Sequence, residues 1–163
     1  MPQFQDDEAS RVDHAVYSHI LSDRGLLKDS YRMERQMYST DLENGAQNYA
    51  NSCPSSACSN STIGENIALV PNNTASGYYD AVFQAIKAFW QEIKVNANGI
   101  NEAMVFTDAL KYSTLAPLRF TQMAWANTHQ VGCGARLCGG NYVVVCRYSP
   151  RISVFAGTVD YGL

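Results

Sequence analysis

The fold is decided by one stretch near the C-terminal end of the chain, Gln130-Val-Gly-Cys-Gly-Ala-Arg-Leu-Cys138-Gly-Gly-Asn141-Tyr-Val-Val-Val-Cys146-Arg-Tyr148. It predicts two strands, 130–136 and 141–148, and the second of them is rich in β-branched and aromatic residues. The Gly-Gly pair between them is typical of a tight hairpin turn. The uninterrupted apolar run 142–146 indicates a strand that is covered on both faces.

Upstream of the hairpin, apolar residues recur at helical spacing. The pattern predicts helices over 8–23, from Thr40 and over 77–95. We interpret Thr40-Asp-Leu-Glu43 as a capping box, and the apolar face that follows puts Cys53 at the buried end of that helix. The Ser-, Asn- and Gly-rich stretch 54–76 is predicted to be a long loop. Helices before a sheet favour an α+β fold with helices on both sides of one antiparallel sheet.

Length and charge exclude several classes of protein. The 163 residues fit one domain, and 46% of them are hydrophobic, which excludes wholesale disorder. The net charge of −3 and the scattered basic residues give no footprint for nucleic acid. No apolar run is long enough to cross a bilayer, so we expect no membrane insertion.

The cysteines and two sequons point to an oxidising compartment. Five cysteines stand at 53, 58, 133, 138 and 146. Metal pairs would show tighter spacing with further Cys or His nearby, so a secreted disulfide framework fits better, with one thiol left over. Asn60-Ser-Thr and Asn72-Asn-Thr are N-glycosylation sequons in polar stretches. We expect an extracellular glycoprotein, and we interpret Met1 as an initiator placed on a mature chain.

Six short motifs resemble one known family, and they occur in its order between residues 9 and 150. They are Ala46-Gln-Asn-Tyr-Ala-Asn-Ser-Cys53, Gly64-Glu65-Asn66-Ile67-Ala68, Phe89-Trp90-Gln-Glu92, Phe120-Thr-Gln-Met-Ala-Trp125-Ala-Asn-Thr128, Val131-Gly-Cys133-Gly and Val145-Cys146-Arg-Tyr148-Ser-Pro150. The chain resembles the CAP superfamily of cysteine-rich secretory, antigen 5 and pathogenesis-related proteins. Within it, the chain looks most like the activation-associated secreted proteins of parasitic nematodes.

The resemblance implies a fold and a disulfide pattern. It implies a three-layer α-β-α sandwich that forms a single CAP domain over residues 1–163. It also implies the pairs Cys133–Cys146 and Cys53–Cys138, with Cys58 unpaired. A local Cys53–Cys58 bond is the alternative.

The chain departs from the family where many members carry two His and two Glu in a cleft that binds a divalent metal in some of them. Glu65 and Glu92 stand at the two acidic positions, but Arg119 and Ala57 stand where the histidines are expected. Arginine has no lone pair and stays protonated, so it cannot be a ligand for zinc. We therefore expect no metal and no cofactor, and we predict that Arg119 pairs with one or both carboxylates as a bidentate fork.

Catalysis is also disfavoured, and we assign no catalytic residue. His14 and His19 lie on the first predicted helix and His129 opens a strand, so none is placed as a general base. An arginine between paired carboxylates would lower both pKa values and remove the general acid that a glycosidase needs.

The leading hypothesis is therefore a secreted, non-enzymatic protein that binds a host or partner protein, such as a cell-surface receptor. Platelet integrins are one candidate receptor, because the nematode group includes a hookworm platelet inhibitor that antagonises them. The exposed parts of 54–76 and 96–118 are the candidate contact surfaces. One alternative is a small-lipid or sterol binder, with aromatic residues lining a groove: Tyr78, Tyr79, Phe83 and Phe89. The other is a metal-dependent hydrolase or metal-switched binder.

Overall fold

The computed structural model describes residues 37–58, 62–95, 113–114, 116–125 and 128–151, all within one compact unit, Glu34–Leu163. The helix predicted over 8–23 lies outside the described residues. These described ranges contain three helices and four strands. The helices are α1 (Thr40–Asn51), α2 (Tyr78–Val95) and α3 (Leu118–Ala124), and the strands are β1 (Met37–Tyr38), β2 (Gly64–Pro71), β3 (Gln130–Cys138) and β4 (Asn141–Ser149).

The four strands form one sheet in the order β1-β3-β4-β2. The three long strands pair antiparallel, as predicted, whereas the two-residue β1 pairs parallel to β3. The β3–β4 hairpin is confirmed, and both strands are slightly longer than the sequence indicated. Gly139 and Gly140 form its turn with φ of 54° and 91°, a left-handed conformation that glycine adopts without strain.

Strand β4 lies in the centre of the fold. Four consecutive residues, Val143 to Cys146, are buried, as expected of a strand covered on both faces. Val143 and Val145 pack against Ala46 and Ala50 of α1. On the opposite face, Tyr142 contacts the ring of Tyr78 in α2, with ring centroids 5.0 Å apart. Helices therefore cover both faces of the sheet, which is the predicted three-layer arrangement.

Helix α1 lies unusually close to the sheet. An added Cβ at Gly134 would stand 2.4 Å from the backbone nitrogen of Gln47, and one at Gly132 would stand 2.6 Å from the backbone oxygen of Ser39. No side chain fits between helix and strand at these two positions. The sheet thus brings the helix backbone into direct contact through its glycines.

The two ends of α1 differ from the prediction. Ser39, and not Thr40, caps the helix, since its hydroxyl accepts the N–H of Leu42. Glu43 is then one position too far along to complete a capping box. The prediction that Cys53 lies at the buried end of this helix is also wrong. The helix stops at Asn51, and Cys53 is exposed in a left-handed conformation with φ of 53°.

The predicted loop over 54–76 is wrong in its second half, where β2 pairs with β4 over its full length of eight residues. The strand begins with the polar stretch Gly64-Glu65-Asn66, which lacks the apolar pattern that would predict a strand. The structure satisfies those polar groups by contacts with other elements: Arg147 of β4 donates to Glu65, and the Asn66 amide donates to the backbone oxygen of Arg119 in α3. Residues 64–71 of the candidate contact surface 54–76 are therefore part of the sheet.

Two disulfides connect these elements. Cys53–Cys138 joins the segment after α1 to the end of β3, and Cys133–Cys146 joins directly paired residues of β3 and β4. These are the pairs that the resemblance implied. Cys58 is an exposed free thiol, so the local alternative Cys53–Cys58 is not formed. In the part of the chain that the structure describes, no helix has the length and apolar character needed to cross a bilayer.

Candidate functional site

The family's two acidic positions lie on different elements. Glu65 is the second residue of β2, and Glu92 is near the end of α2, facing the start of α3. Both side chains are well shielded, with exposed fractions of 4% for Glu65 and 10% for Glu92. Their hydrogen bonds show what each carboxylate does.

Glu92 caps helix α3 from another helix. Pro117 precedes α3 and offers no side-chain hydrogen bond to its free N–H groups. One carboxylate oxygen of Glu92, Oε2, accepts the backbone N–H of Arg119 at 2.7 Å and that of Phe120 at 3.0 Å. A carboxylate at this position also compensates the positive end of the helix dipole. Glu92 therefore replaces the missing N-cap side chain.

Arg119 pairs with the same carboxylate. Its Nε donates to Glu92 Oε1 at 3.0 Å, and its guanidinium lies 6.0 Å from the ring centre of the buried Phe89. The predicted pairing with one carboxylate thus forms. A bidentate fork from the terminal nitrogens does not, because Oε2 is occupied by backbone N–H groups. The Arg119 side chain is 51% exposed, so the pair lies at the surface.

Glu65 does not contact Arg119. Its Oε2 accepts Nε of Arg147 at 2.8 Å, and its Oε1 accepts the backbone N–H of Cys58 at 2.6 Å. Arg147 faces Glu65 directly across the β2–β4 pair. The carboxylate thus fastens the exposed segment that contains Ala57 and Cys58 to the sheet.

Arg147 is the residue of this site that the sequence interpretation missed. Its side chain crosses α1 at Gly45, where an added Cβ would stand 2.5 Å from its Nη1. It also lies 5.8 Å from the ring centre of Tyr49. A glycine in the middle of a helix is unfavourable by itself, so Gly45 was a usable signal for a crossing side chain.

Tyr49 completes a second cluster, formed with Glu65 and Arg147, which is distinct from the first cluster of Glu92 and Arg119. Its hydroxyl donates to the backbone oxygen of Ser56 at 2.9 Å, which holds the segment after α1 from the other side. Burial raises the pKa of the Tyr49 hydroxyl above its ordinary value of 10.0, and the nearby Glu65 carboxylate adds to the shift. The phenol therefore stays protonated at neutral pH and acts as a hydrogen-bond donor.

Ala57 lies between Ser56 and Cys58, in the segment that Tyr49 and Glu65 hold. Ala57 is exposed and offers no ligand atom, and His129 is exposed just before β3. Within the described ranges no group of three or more His, Cys, Asp or Glu side chains could hold a metal ion. His14, His19 and Asn60 lie outside those ranges, as does most of 96–118.

The aromatic residues named for a lipid groove have mixed positions. Phe89 is fully buried and therefore part of the core, and Tyr78 packs on Tyr142 between α2 and the sheet. Phe83 is half-buried, and Tyr79 is 43% exposed. The four rings therefore do not share one open face.

A model of the cysteine-rich secretory protein family, CAP, matches residues 24–148. The chain belongs to the CAP family. Among curated relatives, Repressed by EFG1 protein 1 of Candida albicans is 27% identical over 159 residues, which cover 96% of this chain and 54% of that protein. Venom allergen 5 of Vespula maculifrons is 32% identical over 72% of this chain and 58% of that protein. Ancylostoma secreted protein of Ancylostoma caninum is 29% identical over 73% of this chain and 28% of that protein.

Solved CAP structures share the fold. The crystal structure of NaASP2 with Zn²⁺ is 26% identical with a TM-score of 0.60, over 71% of this chain and 60% of that one. The hookworm platelet inhibitor has a TM-score of 0.66 over 97% of this chain and 77% of that one, and at 18% identity this likeness concerns the fold alone. The chain spans a little more than half of the length of two of the three curated relatives, and less than a third of the length of Ancylostoma secreted protein.

Proposed function

We propose that this CAP protein is secreted and acts by binding a partner protein, with the cleft of its relatives used as scaffold and not as a metal or catalytic centre. The supporting observation is that both carboxylates at the family's acidic positions hold protein groups. Glu92 accepts hydrogen bonds from the start of α3 and from the Arg119 side chain. Glu65 accepts hydrogen bonds from the Arg147 side chain and from the backbone N–H of Cys58.

The chemistry of the four positions supports this proposal. Zinc prefers nitrogen and sulfur donors in tetrahedral sites. Ala57 has no donor atom, and the protonated guanidinium of Arg119 has no lone pair for a metal. A cation at Glu92 would have to displace two backbone N–H groups and a guanidinium. The family description and the name of Ancylostoma secreted protein support secretion, and so do the two disulfides.

Calorimetric titration with zinc tests the scaffold part of the proposal. We expect no binding heat from the unmodified protein. The variant Ala57→His/Arg119→His, which returns imidazole to both positions, is the matched comparison for the same titration. Zinc binding by the unmodified protein at micromolar affinity would refute the proposal, because it would show that the carboxylates are available to a cation.

For the partner, we propose a host cell-surface receptor, with the platelet integrins as the first candidates. The fold likeness to the hookworm platelet inhibitor motivates this choice. The test measures whether purified protein displaces fibrinogen or collagen from platelet integrins. Lack of inhibition at micromolar protein would remove the integrins, and a pull-down from blood-cell extracts would then address other receptors.

The exposed start of α3 is the contact surface we propose for this partner. Leu118 is 50% exposed and Arg119 is 51% exposed, and Glu92 fixes the backbone beneath them. An arginine held in one place loses little side-chain entropy on binding, and arginine is common at the energetic centres of interfaces. Arg119→Glu is therefore expected to weaken binding more than Lys87→Glu, a charge reversal at an exposed position of α2.

A further inference from the structure

We propose that Asn72 carries an N-linked glycan, and that this glycan marks the end of the sheet opposite to Arg119. The inference rests on the proposed secretion, because the sugar donor is found in the secretory pathway. The sequon Asn72-Asn73-Thr74 follows β2 directly. The structure adds the conformation and surroundings of that sequon.

The sequon forms a tight turn that is anchored by its backbone and by the Thr74 hydroxyl, whereas the Asn72 side chain is exposed. The N–H and the hydroxyl of Thr74 both donate to the backbone oxygen of Pro71, at 3.0 and 2.8 Å. The N–H of Asn72 donates to the backbone oxygen of Gly140 in the β3–β4 turn at 3.0 Å. All three sequon residues are exposed.

The neighbouring β3–β4 turn, whose Gly140 accepts the N–H of Asn72, has open surroundings. A Cβ built at Gly139 or Gly140 would meet nothing within 4 Å, and the same holds for Gly77 at the start of α2. The amide side chain of Asn72 makes no hydrogen bond within the described part of the chain. The Nδ2 atom of Asn72 is therefore accessible for attachment of a sugar.

The chemistry of the modification is a group transfer. Asn72 Nδ2 forms a bond to C1 of the reducing-end sugar of a lipid-diphosphate-linked oligosaccharide. The bond between C1 and the diphosphate oxygen breaks, the lipid diphosphate leaves with the electron pair of that bond, and the amide nitrogen releases one proton to solvent. The hydroxyl of Thr74 at the third sequon position is required for recognition of the acceptor.

The position of Asn72 along β2 fixes where the glycan stands relative to Arg119. Glu65 and Asn66 lie at the start of the strand, and the Asn66 amide contacts the backbone oxygen of Arg119 at 3.0 Å. Asn72 lies seven residues after Glu65, which at about 3.3 Å per residue separates the two by about 23 Å. The glycan therefore covers the opposite end of β2 and leaves the start of α3 accessible.

Mass spectrometry of the secreted full chain tests this inference. The protein is produced in insect cells behind a cleavable secretion signal and digested with a proteinase that cuts after Glu, which places Asn60 in peptide 44–65 and Asn72 in peptide 66–92. Treatment with peptide-N-glycosidase in ¹⁸O-water converts a glycosylated Asn to ¹⁸O-labelled Asp. We expect the label in peptide 66–92 at Asn72.

Variants of the sequon provide the controls. Asn72→Gln and Thr74→Ala should lose the label in peptide 66–92, whereas Asn73→Gln and Thr74→Ser should retain it. Transfer occurs on the nascent chain, so a variant that folds poorly is scored in the cell fraction. An unlabelled Asn72 in the secreted protein would overturn the inference, including when Asn60 is labelled. The measurement needs no partner, so its failure is distinct from failure of the receptor assay.

Discussion

Replacing Glu92 with alanine is expected to destabilise the protein far more than removing the charge of its partner Arg119. The substitution removes the acceptor of two backbone N–H groups and of one guanidinium N–H. Phe120, whose N–H is one of them, is 2% exposed, so water has poor access to that donor. Arg119 is half exposed, and its charge remains hydrated when the carboxylate is gone.

The magnitudes follow from these contacts. Loss of an N-cap acceptor costs about 0.5–2 kcal/mol, and a shielded donor left without a partner costs about 1–3 kcal/mol. We expect about 2–4 kcal/mol for Glu92→Ala. Arg119→Met removes only an exposed ion pair, which is worth about 0–1 kcal/mol. For a chain of this length each kcal/mol lowers Tm by about 2–4 °C, so Glu92→Ala should lower it by about 5–15 °C.

Urea unfolding followed by far-UV circular dichroism, with the disulfides intact, measures both variants. Gln91→Ala changes the exposed neighbouring residue and is the control for loss of a side chain on α2. Glu92→Gln keeps an oxygen acceptor but removes the charge, and it should lie between the unmodified protein and Glu92→Ala. Equal losses from Glu92→Ala and Arg119→Met would refute the capping role, since the ion pair would then account for the whole effect.

Three further predictions concern other parts of the fold. Gly134→Ala should cost at least about 1–3 kcal/mol in urea unfolding, because its Cβ would collide with the backbone of α1, whereas Gly77→Ala should be nearly neutral because its surroundings are open. An equal effect of the two would contradict the close approach of helix and sheet. The backbone N–H of Ser76, with a second bond from Gln84, holds the pKa of the Asp80 carboxyl below its ordinary value of 3.8. Because a lowered folded-state pKa stabilises the fold above the ordinary pKa and is lost as pH falls through the folded value, Asp80→Asn should be less stable than the unmodified protein at pH 7. That difference should shrink below the ordinary pKa, and a constant difference would exclude the linkage. Finally, a thiol reagent added to the native protein should titrate one thiol, and Cys58→Ser should titrate none; a thiol that remains in the variant would show that a disulfide is incomplete.

Local signals predicted much of the fold. Helices α1 and α2 and the β3–β4 hairpin follow from apolar periodicity and from the Gly-Gly turn, which are properties of neighbouring residues. Strand β2 could not be found this way, because its first residues, Gly64-Glu65-Asn66, are polar. Their partners Arg147 and Arg119 lie far along the chain. The cap at Ser39 was misplaced by one residue because Thr40 has equivalent capping chemistry.

The sequence named Glu65, Glu92 and Arg119, but it did not point to Arg147 or Tyr49, and it predicted the contacts only in part. The pairing of Arg119 with Glu92 followed from opposite charges at two family positions. The ion pair between Arg147 and Glu65 depends on the register of β2 against β4. That register could not be predicted, because β2 itself was not predicted as a strand. The cap that Glu92 provides to α3 also depends on how two helices meet, and the only local sign of it is Pro117, which has no capping side chain.

The attachment of Glu92 to α3 has a consequence for how such a chain can change over time. A single substitution that returned histidine at position 119 would restore one imidazole. An incoming cation would still compete with the N–H groups of Arg119 and Phe120 for the same carboxylate. A metal bound there would replace the hydrogen bonds that hold the first turn of α3, so a gain of metal binding at this position would cost stability of the fold.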